Sequence, residues 1–176
     1  MALVVFLKGI NVGGHRSFRP SVLAKELQRF DAVNIGAAGT LVIRKPGSRL
    51  NLRAEVMRRV PFEADVMICH GSEILRIASD DPFAASRRQP EVVRFVSVLA
   101  KPRTPLSPIP CDLPAGRGWC VRLLAQRGRF VFGVYRREMR TIRYLGEIEK
   151  IFGVPVTTRN WHSIQAIVRI LETGRR

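Results

Sequence analysis

An ammonium followed by closely spaced glycines is a simple way for a chain to meet an anion. The stretch Lys8-Gly9-Ile10-Asn11-Val12-Gly13-Gly14 has that form. Glycine frees the backbone for positive φ and for close approach. Backbone N–H groups in a loop between a strand and a helix can then cradle a phosphate or carboxylate. Lys8, Gly9, Asn11, Gly13 and Gly14 are therefore candidate ligand-binding residues. The spacing does not make a nucleotide loop. From Gly9 it reads G-x-x-x-x-G-H-R, with His15 and Arg16 where Lys and Ser or Thr would hold the phosphates and Mg²⁺. The plainer reading is a glycine-rich turn that carries a central strand into a helix.

A second constellation, Thr157-Thr158-Arg159-Asn160, precedes an apolar stripe. Hydroxyls and an amide at that place read as a capped helix start, with Arg159 a solvated flank. Free N–H groups and the helix dipole would also suit an anion there. Both constellations are donor-rich, so the Gly9–Gly14 loop and the Thr157–His162 segment are expected to approach each other and bound a cleft between two halves of the chain. The third constellation is cationic: Arg136, Arg137, Arg140 and Arg143 crowd the end of a predicted strand, as a polyanion-binding patch would.

Catalytic patterns are missing. There is no Ser-His-Asp arrangement and no H-E-x-x-H, so no catalytic residue is assigned, and His15 and His162 are the general-base candidates near the first two motifs. Cys69, Cys111 and Cys120 are odd in number and contain no C-x-x-C, which suits buried thiols in a reducing compartment. Cys69-His70 has no partners at metal-ligand spacing. Neither a metal nor a cofactor is expected.

The net charge is the extreme property: +16, with a pI near 11.4. Residues 1–83 hold 12 basic and 8 acidic side chains, hence +4; the remainder holds 18 and 6, hence +12. An excess concentrated in one half points to a polyanionic partner more than a uniform one would. Hydrophobic content of 46% and charged content of 25% are ordinary for a globular protein. No apolar run reaches the length of a membrane span, and the first run breaks at Lys8 before it could serve as a signal peptide. A cytoplasmic address with no membrane partner is expected; composition leaves the oligomeric state open.

The elements that must position these residues follow from periodicity. Leu3–Leu7 is an unbroken apolar run, as in a strand covered on both faces. Leu23, Leu27 and Phe30 mark a helix from about Pro20 to Phe30, residues 33–36 and 40–44 two short strands, and Leu52, Val56, Met57 and Val60 a second helix ended by Pro61. A strand over 65–69 and a helix over 72–79 complete the order of a ferredoxin-like split unit. Val92–Leu99 opens the next half as a second long strand. Pro102–Pro114 carries five prolines and reads as an extended loop. Residues 119–125 and 130–135 form a hairpin around Gln126–Arg129. Ile142, Leu145, Ile148 and Phe152 mark a helix, and a last helix runs from about Asn160 to Glu172. Arg127–Phe132 is superficially like an RNA-recognition strand, but Arg129 displaces its first aromatic, so Phe130 and Phe132 are read as core. The expected division is residues 1–83 and 84–176.

Two segments carry a resemblance. Phe6-Leu7-Lys8-Gly9-Ile10-Asn11-Val12-Gly13-Gly14 and Gly153-Val154-Pro155-Val156-Thr157-Thr158-Arg159-Asn160-Trp161-His162 resemble the signatures at the two ends of a bacterial family called domain of unknown function 1697. The resemblance implies an α+β fold of two ferredoxin-like halves with an additional C-terminal helix, and it implies no activity. Members commonly carry Tyr-Ile-Gln-Ser-Gly-Asn after the first helix. Here Ile35-Gly36-Ala37-Ala38-Gly39-Thr40 stands in its place and keeps only the glycine. A Gly-Arg-Ser-Lys segment is likewise replaced, by Arg136-Arg137-Glu138-Met139-Arg140. Loss of those polar groups weakens an enzymatic reading. The expected function is a non-catalytic binder of nucleic acid or another polyanion; the alternative is an enzyme on a small phosphorylated or carboxylated substrate held between the halves.

Overall fold

The computed structural model describes residues 1–10, 18–84 and 90–174. Its elements in order are β1 (Leu3–Lys8), α1 (Pro20–Glu26), β2 (Ala32–Ile35), β3 (Thr40–Ile43), α2 (Arg49–Arg59), β4 (Asp65–His70), α3 (Gly71–Ser79), β5 (Val92–Leu99), β6 (Cys111–Leu113), β7 (Val121–Arg127), β8 (Phe130–Arg136), α4 (Thr141–Phe152), β9 (Val156–Asn160) and α5 (Trp161–Thr173). The fold is α+β, with two antiparallel sheets. It divides into two compact units, Met1–Ser79 with Ser163–Arg176, and Asp80–His162. The division expected from the sequence kept all of residues 84–176 together. The last helix instead belongs mostly to the first unit, because Leu171 packs on Gly71, where a methyl group would stand 2.8 Å from its side chain.

In the first unit the sheet order is β2-β3-β1-β4. α1 links β1 to β2, and α2 links β3 to β4. β1 is interior, and each residue from Leu3 to Leu7 is buried, as its unbroken apolar run requires. Leu3, Val5 and Leu7 form a core with Leu41, Ile43, Val66 and Ile68, closed by Leu23, Leu27, Leu52 and Val56. Each such side chain contributes about 1.5–3 kcal/mol on burial. Pro20 stands in the first turn of α1, and Ser48 Oγ caps α2 by accepting from the Asn51 N–H at 3.1 Å. β4 is an edge strand, and α2 covers its outward carbonyls. Arg49 Nη2 donates to Ile68 O at 2.7 Å and Arg53 Nη1 to Val66 O at 2.6 Å.

In the second unit the order is β6-β7-β8-β5-β9, with β5 interior. Phe95, Leu99, Val121, Leu123 and Val131 pack with Ile148 and Phe152 of α4. On another face Phe83 meets the rings of Phe132 and Trp161, with centroids 6.2 and 5.1 Å away. Two ferredoxin-like halves, as the resemblance implied, would place a helix after the first strand of each. Residues 100–120 contain no helix: prolines at 102, 105, 108, 110 and 114 forbid one, and the chain makes the short β6 instead.

Candidate functional site

The first constellation lies at the end of β1. Lys8 is the register partner of Asp65 on β4, with Nζ 3.9 Å from Oδ2. Gly9 has φ +83°, a left-handed turn that glycine enters without strain. Asn11, Gly13, Gly14 and His15 lie outside the described residues. Behind Gly9, the turn before β3 packs onto the strand end. The Leu7 N–H donates to Gly39 O at 2.8 Å, and a Cβ on Gly39 would stand 3.0 Å from Leu7 Cβ and meet the Ile10 side chain. Gly39 is thus required by close packing as well as by its φ of +70°.

The second constellation needs a correction. Thr157, Thr158 and Arg159 lie within β9, an edge strand paired antiparallel to β5, and only Asn160, the last residue of that strand, directly precedes a helix. α5 begins directly afterwards, at Trp161. The pairing joins Val98 to Thr157, Ser97 to Thr158, Val96 to Arg159 and Phe95 to Asn160. Ser97 Oγ and Thr158 Oγ1 share a hydrogen bond of 2.7 Å. Arg159 is buried rather than solvated. Its Nη1 donates to Thr157 Oγ1 at 2.7 Å and to Thr158 O at 2.8 Å, and burial lowers its pKa to about 10. The missed signal was Val156-Thr157-Thr158, a β-branched run just after Pro155 that suits an edge strand as well as its hydroxyls suit a cap.

The third constellation is the best formed on the surface. Arg136 ends β8, and Arg137, Arg140 and Arg143 are exposed on the turn and first helical turn that follow. Thr141 Oγ1 donates to Arg136 O at 2.6 Å and ties that turn down. The Arg136 and Arg122 guanidinium carbons stand 4.3 and 4.5 Å from the centroid of the Trp119 ring. Two cations on one ring repel each other, and Asp112 offsets this. It is the register partner of Arg122 across β6 and β7, and it accepts Nε at 2.6 Å and Nη2 at 2.8 Å. The Arg122 hydrogen bond outweighs burial and holds the Asp112 carboxyl below its usual range. Arg140 pairs with Glu138 at 3.2 Å. Arg137 and Arg143 make no ion pair or hydrogen bond among the described residues. No acidic residue lies in the first turn of α4, and Arg140 at its N-cap offers no side-chain cap. Cations at a helix N-terminus oppose the dipole, and Glu138 and Asp112 compensate only part of the charge, so this corner keeps a net positive charge.

The apolar stripe of α4 also differs from the expectation. Ile142 belongs to the predicted stripe, yet it is 79% exposed and neighbouring Met139 is 95% exposed. Thr141 takes the buried place instead. It lies nearly in line with Ile148 on a helix that turns about 100° per residue, whereas Ile142 is displaced by about 120°. Reading the sequence also missed Trp119, Arg122 and Asp112 as parts of this corner, since their meeting depends on strand register.

Elsewhere, Cys69 and Cys120 are buried, and burial next to Asp112 pushes the Cys111 thiol up. Among the described residues no three His, Cys, Asp or Glu side chains gather as a metal site would need, and no helix is long and apolar enough to cross a membrane.

Comparison with known proteins adds two findings. A family model described as "Protein of unknown function (DUF1697)" matches residues 1–107. A solved structure of a conserved bacterial protein from Streptococcus pneumoniae superimposes with a TM-score of 0.61 at 14% identity, covering 97% of this chain and 98% of that one. At that identity the likeness is one of fold. No curated protein matches the chain.

Proposed function

Because the chain belongs to the DUF1697 family of proteins of unknown function, we propose a function from its own surface: it is a non-catalytic binder of nucleic acid or a comparable polyanion, and the Arg136–Arg143 corner is its contact face. The observation that carries this is the exposure of Arg137 and Arg143 without a carboxylate partner among the described residues, beside Arg136 and Arg140 at a helix N-terminus. A folded protein gains nothing from gathering like charges there, whereas a row of phosphates would be neutralised by them. Arginine suits the task, since its planar fork binds phosphate oxygens in pairs.

We read both units as forms of the split β-α-β arrangement. In the second, the Pro-rich segment with β6 replaces the first helix and leaves room beside β7 for Trp119 and Arg122.

Binding to a labelled DNA or RNA fragment should weaken steeply with salt, because each neutralised phosphate releases condensed counterions. Arg137→Ala with Arg143→Ala should lower the slope of log K against log [salt] by about 0.7–0.9 for each phosphate left without its arginine. Absence of binding to any polyanion at low salt would remove the reading; an unchanged slope in the double variant would remove this corner from it.

A further inference from the structure

Two large apolar side chains lie in the same short run as the arginines of this corner. Met139 is 95% exposed and Ile142 79% exposed, and Arg137, Arg140 and Arg143 are interspersed with them along the same turn and helix start, where Glu138 is the one acidic residue and pairs with Arg140. Charge alone does not account for this pairing. A surface that served only phosphate contacts would place polar residues between its cations, and Thr141 already supplies the packing that this turn of α4 needs.

Resting on the polyanion reading above, we infer that Met139 and Ile142 form an apolar wedge that enters between base pairs of duplex DNA, while the arginines hold the flanking phosphates. Met and Ile are among the side chains that unstack base steps from the minor groove, and arginine is the cation that accompanies them there. Charge complementarity selects a polyanion, and the apolar tip selects one with stacked bases behind its phosphates.

A single-stranded occupant fits less well. Binding of unpaired bases relies on free aromatic faces. The aromatic ring of this corner, Trp119, is only 8% exposed and already carries the Arg122 and Arg136 guanidiniums. Tyr144 packs against the core under α4. The corner therefore offers a wedge and cations, with no stacking platform.

The test compares a short DNA duplex carrying a donor and an acceptor dye at its ends, the same strand unpaired, inorganic polyphosphate, and vesicles of anionic lipid. The wild-type chain should bind the duplex and bend it, raising energy transfer between the ends. Met139→Ala with Ile142→Ala should lower duplex affinity by about tenfold or more and abolish the bend. It should leave polyphosphate affinity unchanged. Both residues are exposed, so the double variant should melt at the wild-type temperature, and Ile142→Leu should restore part of the bend. Binding to duplex without bending overturns the wedge, as does an equal loss of polyphosphate affinity in the double variant. So does tighter binding to the unpaired strand, or to vesicles, than to the duplex. Failure of the wild-type chain to bind duplex, single strand or polyphosphate at low salt would instead fall on the polyanion reading itself.

Discussion

Gly133 and Phe95 are register partners on β8 and β5, and the Phe95 ring occupies the space that a Gly133 side chain would need. The carbonyl of Arg122 closes the same space from the other side, 2.6 Å from where a Cβ would stand. A ring end can move, but a backbone carbonyl held in a sheet moves at the expense of its ladder. Gly133→Ala should therefore destabilise the protein by about 1–3 kcal/mol or more, read as a lower denaturant midpoint. A substitution without effect on the midpoint would show that Phe95 repacks freely.

The guanidinium caps on β4 lead to a second expectation. Arg49 and Arg53 occupy the carbonyls of Ile68 and Val66 on the outer side of an edge strand. Open edge carbonyls invite pairing with another chain. Arg49→Ala with Arg53→Ala should keep the far-ultraviolet spectrum while raising concentration-dependent self-association in sedimentation. A variant that stays as dispersed as the wild type would assign the two arginines no role in guarding the edge.

Arg159 gives a pH dependence with a definite sign. Burial lowers its pKa from the ordinary, higher arginine value to about 10, so the folded state releases the proton first. Between those values the unfolded chain binds more protons, and the contribution of Arg159 to stability rises with pH; below about 10 it is constant. Arg159→Met fills a similar volume and should remove that rise. The gap in urea midpoint between wild type and variant should shift in favour of the wild type from about pH 8 to about pH 11. A gap that is flat, or moves the other way, would show that the guanidinium titrates alike in both states.

What the sequence revealed and what it hid separate along physical lines. The interior strands β1 and β5 were legible because a strand covered on both faces is mostly apolar: Leu3–Leu7 is an unbroken apolar run, and Val92–Leu99 is apolar at every position but Arg94 and Ser97. The arginine corner was legible because charge density is a local property. Thr157–Asn160 was misread because hydroxyl residues serve a helix cap and an edge strand equally well. The decision lies with β5, about sixty residues earlier, which offers its Phe95–Leu99 edge. Ile142 was misplaced for a similar reason. Its i+3 spacing to Leu145 looked like a stripe, but the hydroxyl of Thr141 finds Arg136 O and claims the inward position. The Arg122–Trp119–Arg136 grouping required the β6-β7-β8 register, which no local pattern encodes.

The packing of Leu171 on Gly71 has a consequence for synthesis. The first unit is discontinuous: Met1–Ser79 must be completed by Ser163–Arg176, and residues 80–162 leave the ribosome in between. Domains that emerge as one continuous stretch can finish folding while translation proceeds. Here the first unit cannot be completed until α5 arrives to cover Gly71 at the start of α3, so its folding finishes only after nearly the whole chain has been made.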